Sequence, residues 1–170
     1  MTESQPASRT GFGLSLKGRA LRYLAAREHS RTELEHKLRP HEQTPGQLAQ
    51  VLDDLQAKDF ISEPRLVESV LHRRASRMGS LRIKYDLQAK GVSADAIVQA
   101  LAGLQATELA RAQDVWRRRF KQPPQEAHER AKQMRFLTAR GFSGDVVRRV
   151  VQGGGRDEDE SGGSDEMGES

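Results

Sequence analysis

Three groups of cationic side chains carry most of the chemistry this chain can offer. Arg73, Arg74 and Arg77 stand together beside His72, with Arg82, Lys84 and Lys90 just after them. Arg117, Arg118, Arg119 and Lys121 form a second group, and Arg130, Lys132, Arg135 and Arg140 a third. A guanidinium offers its donors as a planar fork that matches phosphate or carboxylate two bonds at a time. The chemistry on offer is therefore recognition of a polyanion. Glu63 and Glu68 precede the first group, and Glu108 and Asp114 the second. That order suits helix dipoles, which favour acids at the start of a helix and bases at its end. The dipole explains the order of the charges but not the excess of bases over acids.

Catalysis has fewer candidates. His29, His36, His41, His72 and His128 are the histidines, and there is no cysteine, so disulfides, thiolate metal sites and cysteine nucleophiles are excluded. Glu68 and His72 lie one helical turn apart and could share a metal, but no third ligand is apparent. An ordinary solvated i,i+4 pair explains them as well. No glycine-rich phosphate loop follows a strand, and no nucleophile elbow is present. The expectation is a non-enzyme that needs no cofactor.

The formal net charge of +4 conceals a division. Residues 156–170 hold seven acids against Arg156, so the segment carries −6 and the rest of the chain +10. A body this basic attracts nucleic acid or an acidic protein groove. Gly153-Gly154-Gly155 separates the acidic stretch, whose Gly, Ser and acid content predicts disorder and a solubilising role. A second possibility is that the stretch competes for the basic surface. Met1–Gly13 is polar and lacks the apolar core of a secretory signal, and no apolar run reaches the roughly 18 residues of a membrane span. A cytoplasmic protein is expected.

The elements that must position these cations read as helices throughout, because apolar residues recur at helical spacing and nowhere alternate as in a strand. A phrase repeats along the chain. Leu87 precedes Lys90-Gly91-Val92, and fifty residues later Leu137 precedes Arg140-Gly141-Phe142. Leu34 and Leu38 match Ile83 and Leu87 at forty-nine. Such a period marks stacked units that cannot each bury an apolar face alone. Ser30 with Glu33 makes a capping box, and Ser62, Ser93, Thr107 and Ser143 are further caps. Thr44-Pro45 is expected to open a helix, with threonine as its cap. Gly91 and Gly141 suit left-handed helix ends. The inward faces are read as Leu14, Leu21, Leu24 and Ala25; Leu48, Val51, Leu52 and Leu55; Leu66, Val67, Val70 and Leu71; and Ile97, Val98, Leu101 and Leu104. Those of the last third are Leu109, Ala112, Val115, Trp116 and Phe120; Ala127, Ala131, Met134 and Leu137; and Val146, Val147, Val150 and Val151. The fold class is all-α, an elongated and curved array of three tandem three-helix repeats over 14–60, 61–105 and 106–152. Residues 1–13 and 153–170 are expected to be disordered.

The middle unit carries a resemblance. Glu63 to Arg77, then Gly79, Arg82-Ile83, Asp86-Leu87 and Lys90-Gly91-Val92, resemble the central repeat of the bacterial RecX family of regulatory proteins. The shared pattern is an acidic start, an apolar face, paired arginines, a glycine, Arg-Ile and a Leu-x-x-Lys-Gly ending. Here Arg73, Arg77, Gly79, Ile83, Leu87, Lys90 and Gly91 occupy those positions. The resemblance spans about Leu14 to Gln152. It implies a non-enzymatic modulator of the RecA recombinase that lies in the groove of the RecA–single-stranded-DNA filament. It implies suppression of ATP hydrolysis, strand exchange and coprotease activity, within DNA repair and the SOS response. On that reading Arg73, Arg74, Arg77, Arg82, Lys84, Lys90, Arg117, Arg118, Arg119, Arg135 and Arg140 contact RecA or DNA. The chain would act as a monomer that binds single-stranded DNA weakly and without sequence preference, away from membranes. The alternative is a direct DNA-binding protein of helix-turn-helix type.

Overall fold

A computed structural model describes residues 13–153, so the expectations for 1–13 and for the acidic stretch fall almost wholly outside the described residues. Nine α-helices follow one another among the described residues: α1 (Leu16–Ala26), α2 (Arg31–Leu38), α3 (Gln47–Ala57), α4 (Glu63–Arg74), α5 (Ser80–Ala89), α6 (Ala94–Gln105), α7 (Glu108–Arg119), α8 (Ala127–Ala139) and α9 (Gly144–Gly153). A 3-10 turn, Arg39–His41, follows α2 and contains Pro40, whose ring and missing N–H end the α-helix there. There is no strand among the described residues.

The helices group in threes because their apolar faces close three separate cores. Leu16, Ala20, Leu34, Leu38, Leu48, Leu52, Leu55 and Ile61 fill the first. Leu66, Val70, Ile83, Leu87, Val92, Ile97 and Leu104 fill the second. Ala112, Val115, Trp116, Leu137, Phe142, Val147, Val150 and Val151 fill the third. The fold is an all-α array of three tandem three-helix units, each burying its own seam and leaning on its neighbour.

Several helix starts follow local sequence rules. The Ser30 hydroxyl accepts from the Glu33 amide while the Glu33 carboxylate accepts from the Ser30 amide, closing the expected capping box. Ser62 and Ser93 accept from the amides of Arg65 and Ala96. Other starts are satisfied from outside the local segment. Gly46, at φ +84°, precedes α3 in place of Thr44, and the Glu42 carboxylate accepts from the Leu48 amide. Thr107 precedes α7, but its hydroxyl donates back to the Leu104 carbonyl and caps nothing.

Some inward faces also differ from expectation. Val98 is 66% exposed, and α6 packs through Ala96, Ile97, Ala100, Leu101 and Leu104 instead. Leu14 lies just before α1 and is exposed, as is Ala25. Ala127 and Ala131 are exposed as well; α8 is turned so that Gln133, Met134 and Leu137 face the core. The turn is fixed by a polar contact: the Trp116 indole donates to Gln133 Oε1 at 2.8 Å in the interior.

The units join in two chemically distinct ways. Between the first and second, Lys90 donates to Glu33 at 2.7 Å and Arg65 to Glu28 at 3.0 Å, while Gly91 packs on Thr32. Between the second and third, backbone meets backbone: the Gly79 amide donates to the Arg140 carbonyl at 2.8 Å, and the Leu81 amide to that of Gly141 at 3.0 Å. Arg111 reinforces this joint, giving hydrogen bonds to the carbonyls of Ala75 and Met78 at the end of α4. A cation there answers both the unpaired carbonyls and the negative helix end. Glu108, buried, accepts from the Ser80 amide and caps α5 from the neighbouring unit.

Candidate functional site

The repeat geometry collects the arginines. Each of α4 and α7 starts with an acid and ends with a run of bases, Arg73 and Arg74 on α4 and Arg117, Arg118 and Arg119 on α7. Stacking the units sets these basic ends side by side, next to the ends of α5 and α8. Between them lies an open cleft of about 1090 Å³. Its walls come from all three units: Arg27 and Glu33 from the first, Arg73, Arg74, Arg77, Asp86 and Lys90 from the second, and Arg118, Arg119, Phe136 and Arg140 from the third. Eight cationic side chains thus face two carboxylates.

Those carboxylates are already engaged. Glu33 holds Arg27 at 3.0 Å and Lys90 at 2.7 Å. Burial alone pushes the Glu33 carboxyl up; hydrogen bonds from Arg27, Lys90 and the Ser30 amide outweigh it and hold the group at about 2. Asp86 lies 3.7 Å from Arg74 and 3.4 Å from Arg82. Arg73, Arg77, Arg118, Arg119 and Arg140 have no carboxylate within ion-pairing distance among the described residues. Arg73 is aimed by a bond from Nε to the Ser69 carbonyl at 3.1 Å. Arg140 is held with its guanidinium 3.7 Å from the Phe136 ring centre, and Phe136 in turn meets Phe120 edge-on at 5.1 Å. A stacked guanidinium keeps donors in its plane for a ligand while losing little side-chain freedom.

Of the residues expected from sequence to make contacts, Arg73, Arg74, Arg77, Lys90, Arg118, Arg119 and Arg140 come together on this cleft. Arg82 stands at its rim through Asp86. Lys84 lies about 200° round α5 from Asp86 at roughly 100° per residue and is exposed on another side. Arg117 pairs with Asp114, and neither it nor Arg135 lines the cleft. Arg27 and Phe136 belong to the cleft although the sequence did not single them out, and Asp86, part of the family-like motif, joins them there. Arg27 lies outside the three basic groups, and Phe136 is not among the inward positions that helical spacing picks out there.

The histidines are elsewhere. His29 is buried against Tyr23 with Nδ1 3.0 Å from the Arg27 carbonyl, and burial lowers its pKa. Glu68 and His72 are both exposed. No three His, Asp or Glu side chains converge as a metal site among the described residues, and no helix there is long and apolar enough to cross a membrane.

Known proteins show the same construction. Models of the first, second and third three-helix domains of RecX match residues 17–55, 62–101 and 106–151 in turn. The regulatory protein RecX of Leptothrix cholodnii is 60% identical over 139 residues, covering 82% of this chain and 88% of that one. Its namesake in Ralstonia nicotianae is 51% identical over 140 residues, with the same coverage of both chains. The crystal structure of RecX from Lactobacillus salivarius superposes with a TM-score of 0.62 at 23% identity, over 81% of this chain and 93% of that one, which is a likeness of fold. Order of units, length and sequence agree, and the chain belongs to the RecX family of regulatory proteins.

Proposed function

We propose that this regulator acts on the filament that RecA forms on single-stranded DNA, lying along it and inhibiting ATP hydrolysis, strand exchange and coprotease activity. It works as a cytoplasmic monomer without catalytic chemistry of its own, and so tunes DNA repair and the SOS response. One observation carries this reading: guanidinium groups from the second and third units, unpaired with carboxylates among the described residues, line one cleft. A nucleoprotein filament presents phosphate and acidic protein side by side, which such a surface can engage together. The array also suits a long partner, since each helix of about 12 residues spans about 18 Å.

The test is inhibition of RecA ATPase on oligo-dT by the Arg73→Glu, Arg77→Glu double variant. Relief of inhibition with an unchanged circular-dichroism melt is the expected result; full inhibition refutes the assignment. A duplex reader of helix-turn-helix type would instead give a sequence-selective, competitor-resistant complex with double-stranded DNA and no preference for the filament.

A further inference from the structure

The cleft wall continues into an apolar patch that charge recognition does not use. Tyr85 is 64% exposed and Leu81, one turn before it on α5, is 58% exposed. Tyr85 lies one turn from Ala89, which lines the cleft, so ring and cleft share one row of the helix. Arg82 links them: its guanidinium is 5.9 Å from the Tyr85 ring centre, and its Nε is 3.4 Å from Asp86 on the cleft wall. The chain's other tyrosine, Tyr23, is half-buried against His29 with Lys37 over its ring. Tyr85 is thus the tyrosine left open to a ligand, and it is left open beside the cations.

We infer that Tyr85, backed by Leu81, is a stacking platform for an unpaired nucleobase of a single strand whose phosphates run through the cationic cleft. Charge alone selects any polyanion, including an acidic peptide. An exposed aromatic face one turn from the cleft wall adds a site that a base fills and a carboxylate does not. Stacking needs no base identity, because every base has a π-face, so the platform is sequence-blind. It favours single strands over duplex, where the bases are occupied with each other. The inference rests on the cleft facing nucleic acid, as proposed above.

The experiment compares oligo-dT with an abasic oligomer of equal length, which keeps the phosphates and removes the bases, using anisotropy at low salt on the full chain. Tyr85→Ala should weaken oligo-dT binding by about tenfold, in the range found for single base–aromatic stacks. It should leave abasic binding and the slope against salt unchanged, and Tyr85→Phe should retain wild-type affinity. Equal losses on both oligomers, no loss on either, or wild-type protein that prefers neither oligomer would overturn the platform. So would a Tyr85→Ala defect confined to RecA filaments, which would assign the ring to protein. Binding of wild-type protein to the abasic oligomer reports on the cleft alone. Its absence would remove the functional reading as well, whereas its presence without a Tyr85 effect removes only the stacking.

Discussion

Glu33 and Lys90 stand 57 residues apart in the chain, and their side chains meet at 2.7 Å across the joint between the first and second units. The carboxylate also closes its own capping box and holds Arg27. One acid therefore fixes a helix start, a neighbouring unit and a cleft arginine. Its pKa is about 2 in the folded chain against 4.5 for a free glutamate. A depressed carboxylate stabilises the fold fully above the unfolded value, and that stabilisation is lost as pH falls through the folded one. The shift corresponds to about 3 kcal/mol. Urea melts from pH 7 to pH 2 should therefore lose stability below about 4.5, and Glu33→Gln should flatten that acid limb while lowering stability at pH 7. An acid limb of wild-type steepness in the variant would mean that other carboxylates govern it.

What was legible in the sequence was what the backbone decides locally. Ser30 and Glu33 are three residues apart, and Gly91 and Gly141 sit at helix ends with φ +74° and +81°, so short-range rules found both. Periodicity allots Val98 to a face of finite width, and only the packing of α4 and α5 on α6 decides where its edge falls. Ala127 and Ala131 read as an inward face until Gln133, the polar residue, is seen to face inward to meet Trp116. Thr44 lost its capping role to a carboxylate, Glu42, that pattern rules do not consult. The basic groups were visible as composition. That Arg118 faces the cleft and Arg135 does not is a product of stacking, which no single helix records.

The glycines at the second joint are needed for space, and Gly141, at φ +81°, for its left-handed conformation as well. A Cβ on Gly79 would stand 2.2 Å from the Gly141 carbonyl oxygen and from the Phe142 amide nitrogen. One on Gly141 would meet the Arg82 amide nitrogen at 2.4 Å. Gly46 has the same left-handed geometry, at φ +84°, with nothing within 4 Å of an added Cβ. Gly46→Ala should therefore cost only the conformational strain of about 1–2 kcal/mol. Gly79→Ala and Gly141→Ala should each cost more, about 3 kcal/mol or above, since backbone must move. Melting temperatures should rank Gly46→Ala above both, separated by about 5 °C or more for a chain of this size. Equal melting points for the three would show that the joint yields freely.

Trp116 and Gln133 make a prediction for the third core. Gln133 accepts from the indole and also donates to the Gln122 carbonyl at 3.3 Å, tying the α7–α8 connection to α8. Gln133→Leu keeps the bulk but strands a buried indole N–H, at a cost of about 1–3 kcal/mol. Trp116 is the chain's single tryptophan, so its emission reports on this site alone. The variant should unfold at lower urea with a shifted native emission maximum, while Tyr85-dependent binding stays as in the wild type.

Arg118 and Arg135 test whether the cleft, rather than total charge, sets the interaction. Both are exposed arginines of the third unit; Arg118 lines the cleft and Arg135 does not. Each substitution to alanine removes one positive charge, so a nonspecific field would respond equally to both. If phosphates follow the cleft, Arg118→Ala should lower the slope of log affinity against log salt for oligo-dT by about 0.7, the value for one contact on a single strand. Arg135→Ala should leave the slope where it was. Inhibition of RecA ATPase should follow the same order, with Arg118→Ala requiring more protein for half-inhibition and Arg135→Ala matching the wild type. Arg140→Lys refines the comparison: it keeps the charge but gives up the planar guanidinium held 3.7 Å over Phe136. A defect in that variant with the salt slope unchanged would locate the recognition in geometry that charge alone cannot supply.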